Sequence, residues 1–302
     1  MKNKAKKCQL SKLLTGLFTS LLLITSSQAQ EKETDSLPRW KHDRKIGVLL
    51  NQSSYENWLP GGTNNFSGTF NLDYILNYNG EKWSWISTLD LALGYAQTQG
   101  ESILSKTEDQ LEFGIIAQRK TTNLWNLSTS FNLKTQNAPG YTLVEQNNAV
   151  ERIKTTQFFS PVYFRLGVGV SYKKSDQFAL QFNPLTARMI MVDRKFTQNL
   201  GPDEQYFGVD QDKNSRWEAG LNIAIQSKLD LFQNISLRNT LNVVSNYLEE
   251  FKNIDFDYTV TLNMKVNEFL STILETQLLY DDNALADLQV RQVFGLSISL
   301  PF

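Results

Sequence analysis

Histidine and cysteine each occur once in the 302 residues, as His42 and Cys8. A serine nucleophile commonly needs a histidine as its general base. His42 is expected ahead of the first strand, so composition excludes a Ser–His centre among the strands. Cys8 precedes an apolar run and is expected to leave with it, which removes thiol and disulfide chemistry from the rest of the chain. Carboxylate catalysis stays formally open, but no pair of carboxylates stands out. Asp210-x-Asp212-x-Asn214 spaces oxygen ligands as a calcium loop begins. Ser215 stands where such a loop needs glycine, and Leu221 where it needs its closing glutamate. A solvated loop is therefore expected there, and likewise at Asp281-Asp282-Asn283. Neither a metal nor a cofactor is expected.

The remaining charged side chains follow a rhythm. Asp73, Asp90, Glu112, Arg165, Arg216, Glu218, Arg238, Asp257, Lys265, Glu275 and Arg291 all sit on the polar side of segments that alternate two by two. Side chains alternate across a strand, so these segments read as strands with one apolar and one polar face. The closing stretch shows the pattern best. Leu288, Val290, Phe294, Leu296, Ile298, Leu300 and Phe302 share one face, Gln289, Arg291, Gly295, Ser297 and Ser299 the other, and only Gln292 and Val293 break it. A soluble edge strand so apolar would invite aggregation. In a closed barrel in lipid there is no edge, and acyl chains solvate the apolar face.

Further alternating segments span Asn65–Tyr78, Lys82–Gln97, Leu124–Lys134, Pro161–Tyr172, Ser215–Lys228, Asn234–Val244 and Asp255–Val266. Four more are less regular. Ile46–Tyr55 is poor in apolar residues, and Asp109–Lys120 carries Ile116 on its polar face. Gln177–Val192 alternates only as far as Phe182 and then meets Pro184. Phe269–Tyr280 places Ile273 and Leu279 on the polar face. The joints alternate between tight turns and longer loops, as in outer-membrane barrels with short periplasmic turns and longer outer loops. The expectation is an all-β chain forming a single transmembrane antiparallel β-barrel of about twelve strands. Fourteen would result if 137–160 or 185–210 holds a further hairpin of the wall. A soluble β-sandwich also alternates, but these strands run to about ten residues against the roughly five or six usual in globular sheets. Trp83, Trp85, Tyr95, Trp125, Tyr172, Trp217 and Tyr258 fall near strand ends, as an interfacial girdle would.

Ahead of the strands, five lysines precede the apolar run Leu13–Ile24 and a small-residue stretch ending at Ala29. That order is a secretory signal, expected over 1–29. Residues 30–44 read as a periplasmic lead and 45–302 as the barrel. The whole chain carries −1 and residues 1–29 hold those five lysines with no acid, so the rest bears about −6. That gives no support for nucleic-acid binding.

Trp58-Leu-Pro-Gly-Gly-Thr-Asn64 is the most distinctive loop, with Gly61 and Gly62 free to take backbone angles other residues avoid and Pro60 stiffening the entry. It reads as a tight turn with Trp58 over the barrel mouth, or as a fixed surface for a partner. Together with Asn183-Pro-Leu-Thr-Ala187, Tyr206-Phe-Gly-Val209, Ser245-Asn-Tyr-Leu248, Lys265-Val-Asn267 and Tyr280-Asp-Asp282, its order and spacing resemble a Bacteroidetes outer-membrane β-barrel family of unknown function. The resemblance covers about 46–302. It implies an outer-membrane location and brings no activity or catalytic residue.

The leading expectation is a non-enzymatic barrel, structural or partner-binding, within an outer-membrane assembly. The alternative is a channel or transporter for a small solute, suggested by the inward Arg and Asp residues. The expected partners are outer-membrane lipid, outer-membrane proteins, and the barrel-assembly machinery through the last strand and its terminal Phe302.

Overall fold

The computed structural model describes residues 39–54, 63–101, 103–146, 149–175, 177–248, 254–281 and 285–301. The sequence expectations for 1–29, for Trp58, Gly61 and Gly62, and for Phe302 fall outside them. The strands are β1 (Trp40–Ser53), β2 (Asn65–Asn79), β3 (Trp83–Thr98), β4 (Ser105–Lys120), β5 (Trp125–Thr135), β6 (Gly140–Gln146), β7 (Ala149–Thr156), β8 (Val162–Ser175), β9 (Phe178–Met191), β10 (Gln205–Tyr206), β11 (Val209–Asp210), β12 (Ser215–Phe232), β13 (Ile235–Asn246), β14 (Ile254–Lys265), β15 (Leu270–Asp281) and β16 (Leu285–Pro301).

Twelve of these close an antiparallel barrel in the order β1-β2-β3-β4-β5-β8-β9-β12-β13-β14-β15-β16. Closure is the pairing of β1 with β16, with Lys45 opposite Pro301 and Leu50 opposite Leu296. Both stretches that could have raised the count to fourteen do contain a hairpin. β6 pairs only with β7 and β10 only with β11, so these ribbons stand apart from the wall.

The first strand starts earlier than its alternation suggests. Trp40–Arg44 belong to β1, facing Tyr78 through Tyr74 on β2, so the lead segment is shorter than 30–44. Lys41, His42, Asp43 and Arg44 put charged or polar residues on both faces, so the alternation that marks a strand is hidden there. His42 thus lies within the first strand rather than ahead of it. Its parity is opposite to that of Lys45, which lines the lumen, so it turns outward.

Apolar side chains cover the outside, including Leu127, Leu166, Val168, Val290, Phe294 and Leu296, all exposed. Aromatic residues ring both ends. At the short-turn end Trp40 packs on Tyr78 at 4.8 Å and Trp125 on Tyr172 at 5.0 Å between ring centres. At the long-loop end Phe256 stacks on Tyr280 at 6.1 Å. Gln292, one of the two exceptions in the last strand, does face outward, where its Nε2 donates to Thr276 Oγ1 at 3.2 Å. Pairing of this kind is what lipid demands of a polar group with no water to bond.

The irregular strand β9 is a single strand with a bulge. Val168 faces Leu185 while Val170 faces Phe182, and on the other side Gly220 faces Thr186 while Asn222 faces Asn183. One extra residue is therefore accommodated around Pro184, which has no N–H to give to a ladder and is confined to such places. The parity flips across it. Asn183 is 0 % exposed and inward, whereas Leu185 is 70 % exposed. From there Thr186 and Arg188 point in. The strands beside the bulge approach too closely for side chains. A Cβ on Gly169 would overlap the carbonyl oxygen of Phe182, and one on Gly220 that of Ser245.

Candidate functional site

The inward parity of the twelve strands builds a cavity of about 1150 Å³. Asp73, Asp90, Glu112, Arg165, Arg238, Asp257, Glu275 and Arg291 line it, as do the inward Ile116, Ile273 and Leu279. Arg216 and Glu218 keep the same parity but sit at the long-loop end, packed into a charge cluster around Arg188. Lys265 is exposed at the short-turn end of β14. Asn64 stands just before β2, where its carbonyl accepts from the Gln99 amide at 2.8 Å.

Seven further charged residues line the cavity: Lys45, Glu108, Lys134, Arg188, Lys228, Asp255 and Asp281. In all, eight carboxylates and seven cations face it. Most are paired. Arg291 meets Glu275 at 3.0 Å and also Glu108. Lys134 lies 3.7 Å from Asp257, whose Oδ1 accepts from Gln277 at 2.8 Å. Glu112 accepts from Asn132 at 2.7 Å and Gln110 at 2.9 Å. Below the bulge, Asn183 Nδ2 donates to Ser130 Oγ at 3.2 Å and Asn222 Nδ2 to Asn242 Oδ1 at 2.6 Å, a belt that Arg165 joins through Asn242 at 3.4 Å.

The densest cluster centres on Arg188. Its Nη1 lies 3.2 Å from Glu218 and 3.0 Å from Asp255, and its Nη2 lies 3.3 Å from Asp281. Glu218 is also 2.9 Å from Arg216 Nε, and the Arg188 guanidinium stands 5.4 Å over the Tyr163 ring. The three carboxylates come from β12, β14 and β15, so one side chain from β9 ties a third of the wall's circumference together beneath the long loops. Unbroken alternation from Gln177 would have put Arg188 in lipid. Two signals in the sequence pointed the other way: a proline in mid-strand, and the cost of an arginine facing hydrocarbon, about 2–4 kcal/mol at the midplane.

Above this cluster the long loops form a small folded cap. Ile190, Val192 and Val209 are its buried core, packed by Tyr163, Tyr206 and Phe207. Between β10 and β11, Phe207 and Gly208 both have positive φ, 50° and 75°, the pair of angles a tight hairpin turn of the mirror-image type requires. This explains the Tyr206-Phe-Gly-Val209 motif. Tyr206 donates its hydroxyl to the Thr155 carbonyl, joining the cap to β7, and burial pushes that hydroxyl's pKa up. Asp193 N–H donates to Ser160 Oγ at 2.8 Å, and Gln157 Nε2 donates to Asp193 Oδ2 at 2.7 Å. The backbone N–H of Lys195, helped by the side chains of Lys195 and Gln157, holds the Asp193 carboxyl below the usual range. Asp210 is held down likewise by Lys213, 2.6 Å away, and by Gln205. Asp212 lies 3.4 Å from Arg194. The Asp210–Asn214 stretch thus spends its oxygens on ion pairs and hydrogen bonds. Among the described residues no three His, Cys, Asp or Glu side chains are grouped to hold a metal.

Residues 50–141 match the family model described as "Protein of unknown function (DUF3078)". No curated protein matches the chain. Among solved structures it is similar to the translocator domain of the autotransporter NalP from Neisseria meningitidis, at 9% identity and a TM-score of 0.36, over 100% of this chain and 98% of that one. It is also similar to an outer membrane channel from Pseudomonas putida F1, at 12% identity and a TM-score of 0.39, over 91% of this chain and 100% of that one. A third is the NanC porin, at 7% identity and a TM-score of 0.38, over 85% of this chain and 98% of that one.

Proposed function

We propose that the chain is an outer-membrane channel for small hydrophilic solutes. One observation carries this reading: a single cavity, lined by charged and amide side chains, runs along the barrel. It touches Lys228, Ser236 and Asn263 toward the short-turn end and Asn51, Ser67, Asp255 and Asp281 toward the long-loop end. A barrel that served only as a scaffold would be expected to fill this space with packed side chains. The apolar outer face and the aromatic rings at both ends support a membrane position, with the long loops outside and the tight turns in the periplasm. The signal over 1–29 would direct export, and the last strand, ending at Phe302, would engage the barrel-assembly machinery. The loop motifs between Trp58 and Asp282 support a place in a Bacteroidetes family.

The test is reconstitution of the mature chain into a planar lipid bilayer in KCl. Discrete conductance steps are expected. An electrically silent barrel that nevertheless shows native β-structure would overturn the reading. The partner-binding alternative draws on one feature, the exposed rings of Phe158 and Phe159, 4.9 Å apart at the base of the cap. A silent barrel that co-purifies in fixed ratio with another membrane protein would favour that alternative.

A further inference from the structure

Three cavity carboxylates stand side by side. Asp73 on β2 faces Asp90 on β3 in the strand register, and Asp90 faces Glu112 on β4. Like charges directly opposite one another across strands are unfavourable, and of the three only Glu112 accepts side-chain hydrogen bonds, from Gln110 and Asn132. The side chains of Asp73 and Asp90 have no hydrogen bond or ion pair among the described residues. Lysines bound the row, Lys45 next to Asp73 and Lys134 next to Glu112, and Lys134 is turned toward Asp257.

The opposite wall carries the opposite sign. Twelve strands form the ring, and β13 lies six places from β3 whichever way one counts. Arg238 projects from β13 into the same cavity, exposed, with no carboxylate within ion-pair distance among the described residues. Arg165, on β8, adds a second guanidinium bonded only to an amide. By contrast Arg291 with Glu275 and Glu108, Lys134 with Asp257, and Arg188 with its three carboxylates neutralise each other locally. Here two anions and a cation attract one another across the lumen without touching, and of the two anions only Asp73 has a lysine, Lys45, opposite it in the register.

We infer that this pair of opposed walls makes the channel selective for zwitterionic solutes, the ammonium drawn to Asp73 and Asp90 and the carboxylate to Arg238. The inference rests on the channel reading and deepens it. A dipolar solute of matching span gains at both walls, whereas a simple ion is attracted by one and repelled by the other.

The experiment uses the full mature chain in proteoliposomes. Osmotic swelling is followed with L-alanine and with lactamide, a neutral solute of similar size. Alanine is expected to enter faster by about threefold, the scale of a solvated charge pair. The double change Asp73→Asn with Asp90→Asn should abolish that preference and shift the reversal potential in a KCl gradient toward anions. Arg238→Gln should also abolish it and shift the potential toward cations. Because either change could disturb folding, the charge-keeping changes Asp90→Glu and Arg238→Lys are added, each of which keeps its wall's sign and should keep the preference. Equal entry of alanine and lactamide through a conducting wild-type channel would overturn the inference alone, as would a preference that survives both neutralisations. Absence of conductance would remove the channel reading and the inference with it.

Discussion

Arg188 and Glu218 stand opposite each other in the β9–β12 register, with Nη1 and Oε2 3.2 Å apart, and they meet inside the barrel only because Pro184 shifts the phase of β9 four residues earlier. Arg188 is 7 % exposed and Glu218 4 %. Charges so buried are tolerable only while paired, and removing one partner costs about 3–5 kcal/mol. Arg188→Met would leave Glu218, Asp255 and Asp281 gathered without their shared cation. The expected result is a loss of that order in reversible urea unfolding in lipid, together with a larger unitary conductance because the chord from β9 to β15 is gone. Glu218→Gln should cost less, since the guanidinium keeps two carboxylates. Stability of Arg188→Met within about 0.5 kcal/mol of the parent, the range of an ordinary surface change, would show that the cluster is not what holds this end together.

The bulge makes a second demand, on glycine. Gly169 and Gly220 flank it, and each faces a neighbouring carbonyl too closely to admit a Cβ. Gly169→Ala and Gly220→Ala should each destabilise the barrel by about 1–3 kcal/mol, as overpacking does. Gly68 supplies the control, because its added Cβ would meet only Leu50 Cδ2 at 3.5 Å, an ordinary contact. Gly68→Ala is expected to be neutral or slightly stabilising, since it restricts the unfolded chain. Equal effects at all three positions would refute the close approach.

Periodicity is informative in the regular strands and stops at the bulge. Alternation at period two follows from strand geometry alone, so the wall, its turns and the inward Asp73, Asp90, Glu112, Arg238, Asp257, Glu275 and Arg291 could be read directly from the sequence. Arg188 could not, because one extra residue reverses every side chain beyond it. Asp255 and Asp281 continue the inward parity of Asp257 and Leu279, but the cation they share, Arg188, lies beyond the bulge. The start of β1 was hidden for another reason, charged residues on both faces. The two ribbons lie in stretches that read as long loops, a hairpin being only the alternative, and nothing in their sequence says that such a hairpin would leave the wall. Which charges go unpaired is a property of strands six places apart, and no local pattern carries it.

The cap offers a pH-dependent prediction. Asp193 ties the loop at 155–161 to the one at 192–214, and its carboxyl is held below its ordinary value, first by the Lys195 backbone N–H and then by the side chains of Lys195 and Gln157. Asp210 is lowered in the same sense by Lys213 and Gln205. A carboxylate whose folded pKa is depressed contributes its stabilisation fully above the unfolded value, about 4, and loses it as pH falls through the folded value. The cap should therefore hold from neutral pH down to the ordinary aspartate range and loosen only below it, while the barrel strands, held by their ladders, persist. Hydrogen exchange of the backbone amides in 195–213, corrected for the intrinsic pH dependence, would read this directly. Asp193→Asn should remove most of the acid effect, since the amide still accepts a hydrogen bond but no longer titrates. Protection of those amides that stays constant down to pH 2 would mean that the apolar core of Ile190, Val192 and Val209 holds the cap without help from either carboxylate.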